Sequence, residues 1–224
     1  MTDGAWTLHW LEAEGSLAPW RSQIEGEIAA ASEAVGRAVP RPAIDIVLQA
    51  VPRGGIPGLG IGGHAFRRGR IDLTFDPGSA DLPRSLSGDL LRRMVVHEAH
   101  HCLRHAGPGY GRSLGAALVS EGLADHFAEE LFGPPPLPWT APLSPEERAA
   151  VVARAEPLLW APRYDHAAWF FADGRGALPR WAGYRLGYML VAAHRAANPM
   201  ALPSGLAGAP ARDLLDDAWP RLRP

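Results

Sequence analysis

Residues 90–101 read Leu-Leu-Arg-Arg-Met-Val-Val-His-Glu-Ala-His-His, and the last five, His97-Glu98-Ala99-His100-His101, decide how the chain is read. The surrounding pattern predicts one long helix from Pro83 to Ala106, closed by Gly107-Pro108-Gly109. Residues four apart on an α-helix return to within about 40° of the same face. His97 and His101 can therefore put two imidazoles on one Zn²⁺. Glu98 flanks them and can hold a water there. Leu90, Leu91, Met94, Val95 and Val96 make the preceding turns apolar, so the motif sits against a core where water access is limited. His105 extends the stripe, but it lies about 12 Å along the axis from His97 and a straight helix cannot wrap one ion. His100 points away from the ligand face. Cys102 is rotated about 100° from His101 and reads as a buried, inert thiol.

The second half of the pattern is Glu121-Gly122-Leu123-Ala124-Asp125, with 19 residues between His101 and Glu121. It falls in a helix predicted over Ser113 to Phe132, after a glycine-rich turn that can send the chain back antiparallel. A carboxylate at Glu121 is then the third metal ligand. Two His and one Glu leave a fourth position open, the arrangement of catalytic rather than structural zinc. Asp125, one turn later on the same face, is placed to accept a hydrogen bond from the distal nitrogen of a ligand histidine.

Outward from these helices, Trp20 to Val39 is an amphipathic helix with Ile24, Ile28, Ala31 and Val35 on one face, ended by Pro40 and Pro42. Ala43 to Val51 alternates and is β-branched, which predicts a strand. Gly54 to Gly63 holds six glycines in ten residues and reads as a loop or irregular strand entry. Gly62 to Phe66 and Arg70 to Phe75 are two further strands. Pro134 to Pro142 is a stiff extended connector. Helices follow at Glu146 to Ala155, Asp165 to Ala172, Pro179 to Ala197 and Ala211 to Leu222. The expected fold is α+β. Residues 1–133 carry a small sheet and the two motif helices, 134–142 the connector, and 143–224 a helical part of the same unit.

Composition excludes several alternatives. The 224 residues carry 22 basic and 24 acidic side chains, a net charge of -2, which gives no electrostatic case for nucleic acid or an anionic membrane. Every basic residue is Arg, so Schiff-base lysine chemistry and a Walker A lysine are ruled out. The single Cys rules out a disulfide framework and fits a reducing compartment. The sequence from Met1 to Trp6 has no basic region leading into an apolar stretch, and no apolar run is long enough to span a bilayer. A cytoplasmic protein is expected.

The HExxH and ExxxD motifs together resemble the gluzincin metallopeptidases. Carried over, His97, His101 and Glu121 are the zinc ligands, Glu98 the general base and Asp125 the outer carboxylate. Val119 to Ala128, the following Gly-Pro-rich stretch to Trp139, and Gly183-Tyr184-Arg185-Leu186-Gly187-Tyr188 are similar to a bacterial "predicted Zn-dependent protease" family (YjaZ-like). The resemblance covers about residues 60 to 195 and implies a zincin-like fold and a peptide or protein substrate. It also implies a group that stabilises the oxyanion, a role for Tyr184 first and Tyr188 second, ahead of His194 and His166. Leu59 to Phe66 is the candidate exposed edge for pairing with a substrate backbone. The alternative is a catalytically inactive zinc-binding regulatory or stress-related module on a peptidase scaffold. A fourth protein ligand, His64, His100 or His126, would mark it.

Overall fold

The computed structural model describes residues 4–134 and 137–223. The protein is mixed α+β, and its chain divides into two compact units, Met1–His105 and Ala106–Pro224. The division falls after the HExxH helix, whereas the sequence places its boundary at the connector 134–142.

The first unit is a four-stranded sheet with helices. Its strands are β1 (Trp6–Leu11), β2 (Ile44–Ala50), β3 (Ile61–Arg67) and β4 (Arg70–Phe75), in the order β1-β2-β4-β3. β1 and β2 are parallel, as are β2 and β4, while β3 runs antiparallel to β4 at the edge. The helix α1 (Arg21–Ala38) returns the chain from β1 to β2. Its expected apolar face of Ile24, Ile28, Ala31 and Val35 is buried. Ile46, Leu48, Ile71, Leu73 and Phe75 fill the sheet side of the core.

Two expectations are corrected here. The sheet begins before the first helix, because β1 pairs with β2 from Trp6 to Leu11. Its burial alternates between half-buried Trp6, Leu8 and Trp10 and exposed Thr7, His9 and Leu11, a period-two strand pattern that the sequence carried and the expectation overlooked. The long helix is two: α2 (Leu82–Ser87) and α3 (Leu90–His105). Gly88 is extended between them, at φ -102° and ψ -160°. The carboxylate of Asp89 then accepts from Arg93 Nε at 2.7 Å, and its carbonyl from the Arg93 N–H at 3.0 Å, which starts α3 afresh. Arg92 on α3 meets Glu27 on α1 through two bonds of 2.6 and 2.7 Å, fastening the two helices.

The second unit is helical among the described residues: α4 (Leu114–Phe132), α5 (Pro145–Ala155), α6 (His166–Phe170), α7 (Ala182–Ala197), α8 (Pro203–Leu206) and α9 (Ala211–Leu222). Leu118, Leu123, Val151, Phe170, Leu186, Leu190, Leu215 and Trp219 share its core. α4 and α7 touch backbone to backbone. A Cβ on Gly122 would lie 2.1 Å from the carbonyl oxygen of Gly187, and one on Gly187 would lie 2.4 Å from that of Leu118. Glycine at both positions is what allows the approach. α5 opens with a capping box: Ser144 accepts from the Glu147 N–H at 3.1 Å, and Glu147 accepts from the Ser144 N–H at 2.9 Å.

The connector is not wholly extended. Pro138–Thr140 forms a 3₁₀ turn with Trp139 and Thr140 buried, while Pro135 and Pro136 lie outside the described residues. The start of α7 is delayed from Pro179 to Ala182, behind a left-handed Trp181 at φ 59°. Met1 to Asp3 also lie outside the described residues. Among the described residues no helix is long and apolar enough to cross a membrane.

Candidate functional site

In the first unit α3 positions His97, Glu98 and His101, which are 3%, 5% and 4% exposed. The Nε2 atoms of His97 and His101 lie 3.1 Å apart, with the rings edge-on at 87°. Two nitrogens bound to one tetrahedral zinc at about 2.05 Å are separated by about 3.3 Å. The pair thus already has close to the spacing the ion demands. When both rings carry their proton on Nδ1, two lone pairs face each other at this distance, and a cation between them removes the repulsion.

Glu98 sits under the edge strand. A Cβ on Gly63 of β3 would come within 3.0 Å of Glu98 Cγ and 3.1 Å of its Oε1. The strand therefore passes directly over this carboxylate, and a side chain at position 63 would press on it. The neighbouring His105 donates from Nε2 to the Ala65 carbonyl at 3.2 Å, which occupies that nitrogen in holding α3 to β3. The Cys102 thiol contacts the carbonyls of Arg67 and Arg70, and burial pushes its pKa up to about 12, the inert thiol expected. His100 is fully buried. His64 lies on the exposed side of β3, 3.7 Å from Asp72 and ring to ring with Phe66 at 4.5 Å.

In the second unit α4 carries Glu121 and Asp125, 5% and 1% exposed. Asp125 Oδ1 accepts from the Trp139 indole at 2.9 Å, which is why the connector turns inward there. Glu121 Oε1 accepts from the Tyr110 hydroxyl at 2.6 Å. Burial and the Glu121 charge push the Tyr110 hydroxyl well above its usual pKa, so it stays a donor. Glu121 likewise raises Tyr164, to about 12, after burial. The Tyr164 hydroxyl is 2.7 Å from His166 Nδ1, and burial lowers the His166 pKa.

The two tyrosines expected to stabilise an oxyanion have different surroundings. Tyr184 is half-buried, with its ring 5.1 Å from Phe170 and 6.0 Å from Trp139. Tyr188 stacks on His126 at 4.1 Å and donates from its hydroxyl to Glu129 at 2.6 Å, and burial raises its pKa. Arg185 donates to the carbonyls of Ala141 and Pro142 and to Glu147, fastening the connector to α7. His194 pairs with Asp217 at 2.7 Å. His126 has both ring nitrogens engaged, by the Tyr188 carbonyl at 3.0 Å and Arg195 at 3.1 Å. Burial lowers its pKa to about 4, so the ring is neutral near pH 7.

Each unit thus keeps its own part of the expected set. His97, Glu98 and His101 stand together on α3, and Glu121 and Asp125 on α4. The sequence reading missed Tyr110. The signal available for it was a lone tyrosine between two glycines, Gly109 and Gly111, in the turn before α4.

No solved structure matches the chain. It is similar to the uncharacterized protein YjfC of Bacillus subtilis (strain 168), at 30% identity over 151 residues. That alignment takes in 62% of this chain and 45% of the relative, so the chain spans under half the length of the protein it matches. The model of the "Predicted Zn-dependent protease (DUF2268)" family matches residues 27–215, which takes in the sheet from β2 onward, α3, α4 and α7. With that much of its length matched, including both motif helices, the chain belongs to this predicted Zn-dependent protease family.

Proposed function

We propose that the protein is a zinc-dependent peptide hydrolase of the gluzincin type, with a zincin-like arrangement of the sheet and motif helices. The observation that carries this reading is the His97–His101 pair: two buried imidazole nitrogens 3.1 Å apart on one helix, with Glu98 beside them under the edge strand. His97, His101 and Glu121 are the proposed ligands, a buried set of two histidines and a carboxylate of the kind that can hold a metal ion. The donor chemistry fits Zn²⁺, which takes neutral imidazole and carboxylate and keeps a position open when only three protein groups bind it. A zinc ion there would polarise a carbonyl and bring water's pKa toward neutrality.

The chain's own residues do the rest. Glu98 takes a proton from the water that attacks the scissile carbonyl and passes it to the leaving amine nitrogen. Tyr184 donates a hydrogen bond to the developing oxyanion. Tyr188 is second in that role because its hydroxyl already serves Glu129. Asp125 supports the site from outside the ligand set, with Trp139 holding one of its oxygens. β3 is an edge strand of the sheet, and its Gly62 and Gly63 leave room for an extended peptide to pair beside Glu98. The substrate is thus a peptide or an unfolded segment of protein, in a cytoplasmic setting.

Elemental analysis and a peptide-library cleavage assay test this together. The expected result is about one zinc per chain in the wild type, lost in Glu121→Ala. Glu98→Gln should keep its zinc and lose hydrolysis by a factor of 10² or more. A wild type that takes up no zinc, or a Glu98→Gln variant that cleaves normally, overturns the proposal.

A further inference from the structure

We propose that Tyr110 is the positioning residue of the Glu121 carboxylate, held on α4 by a two-point clamp and tuning the affinity for zinc. This rests on the reading of Glu121 as a metal ligand. Two consecutive residues of α4 grip Tyr110. Its hydroxyl donates to Glu121 Oε1 at 2.6 Å, and its carbonyl accepts from the Ser120 hydroxyl at 3.0 Å. One contact fixes the backbone of the loop and the other fixes the carboxylate.

The loop is built to make this reach possible. Tyr110 stands between Gly109 at φ 79° and Gly111 at φ 89°, both in the left-handed region that side chains avoid. At Gly111 a Cβ would also meet Ala116 Cβ at 2.2 Å. The loop thus turns tightly against the first turn of α4, and Tyr110 lies back along the helix to a residue two turns in. Ser113 caps the same helix by accepting from the Ala116 N–H at 3.3 Å. Loop, cap and clamp are one rigid piece.

A glutamate side chain has three rotatable bonds, and an unheld carboxylate must lose that freedom when it binds a metal. A short charge-assisted hydrogen bond from the half-buried Tyr110 phenol removes most of it beforehand. Groups that orient a ligand in this way are typically worth 10–100-fold in metal affinity.

Tyr110→Phe removes the hydroxyl and nothing else. Its zinc affinity, measured on the full chain by competition with a chromophoric chelator, is expected to fall about 10-fold or more. The thermal midpoint of the metal-free variant should stay close to that of the metal-free wild type. The cobalt-substituted variant should have a visible spectrum shifted from that of the cobalt-substituted wild type, because the ligand field changes with the carboxylate's orientation. Ser120→Ala, which loosens the backbone grip and leaves the Tyr110 hydroxyl on Glu121, should lower zinc affinity less. Wild-type zinc affinity and an unchanged cobalt spectrum in Tyr110→Phe overturn the inference. Should the metal-free variant be destabilised while its zinc affinity is retained, Tyr110 is a packing residue and the inference fails. If the wild type binds zinc and Glu121→Ala does not, such a failure concerns Tyr110 alone; a wild type without zinc defeats the parent reading instead.

Discussion

His126 shows what burial does to a single residue of the second unit. Its ring donates from Nε2 to the Tyr188 carbonyl and accepts at Nδ1 from Arg195, which only the neutral imidazole can do. The folded-state pKa of about 4 lies below the value near 6.5 of an unfolded chain. Between those values the unfolded state binds a proton that the folded state does not. The stability is fully present above pH 6.5 and falls as the pH drops toward 4. At pH 5 the loss from this group is about 2 kcal/mol. Urea unfolding of wild type and His126→Gln at pH 7 and pH 5 measures it. Gln keeps a donor and an acceptor but does not titrate, so its stability should drop less by about that amount. Equal drops would remove His126 as the acid-sensitive group. At this scale the pair His97 and His101 was legible in the sequence, because four residues along a helix is a local relation. The engagement of His126, Tyr188 and Tyr110 was not, since each depends on a partner from a different element or across a strained loop.

Among the elements, α4 and α7 make the closest contact in the second unit, and two glycines set it. Gly122 and Gly187 face each other where any Cβ would strike backbone carbonyls at 2.1 and 2.4 Å. Backbone cannot swing aside as a long side chain can, so the two helices must separate to admit a methyl group. Gly187→Ala should lose about 2–3 kcal/mol despite alanine's better helix propensity. A denaturant midpoint equal to that of the wild type would show that the helices part without cost. Tyr184 and Tyr188 lie on α7, and Glu121 and Asp125 on α4, so the proposed hydrolysis should fall with stability in this variant. The helices α1, α4, α5, α7 and α9 were legible from apolar periodicity, caps and proline or glycine stops. β1 was legible too, since Trp6, Leu8 and Trp10 alternate with Thr7 and His9, but so short a run near the chain's start was passed over as a strand. The break before α3 was marked by Ser87-Gly88-Asp89, a turn pair followed by a helix-start residue, but the apolar run on either side was read as one helix.

The whole molecule has two cores, one between the sheet and α1 and α3, the other among the helices of the second unit. A chain with that much buried apolar surface does not need a metal to fold, unlike a small zinc module. Binding to the folded state should still raise its stability by about 4 kcal/mol when free zinc is 1,000 times its dissociation constant. Removing zinc with a chelator should therefore lower the melting temperature by on the order of 10 °C and leave the circular dichroism at 25 °C unchanged. Loss of the helical signal at 25 °C on chelation would make the zinc structural and favour the inactive-module alternative. By itself the sequence determined the α+β class, the helix that carries His97, Glu98 and His101, and the composition that excludes lysine and disulfide chemistry. These follow from residue type and from spacing within one element. Only the tertiary structure decided that β3 passes over Glu98 with Gly63 against its side chain, and that Tyr110 reaches Glu121. Strand order and such pairings join residues distant along the chain, and they are set by which surfaces pack together rather than by any period along the sequence.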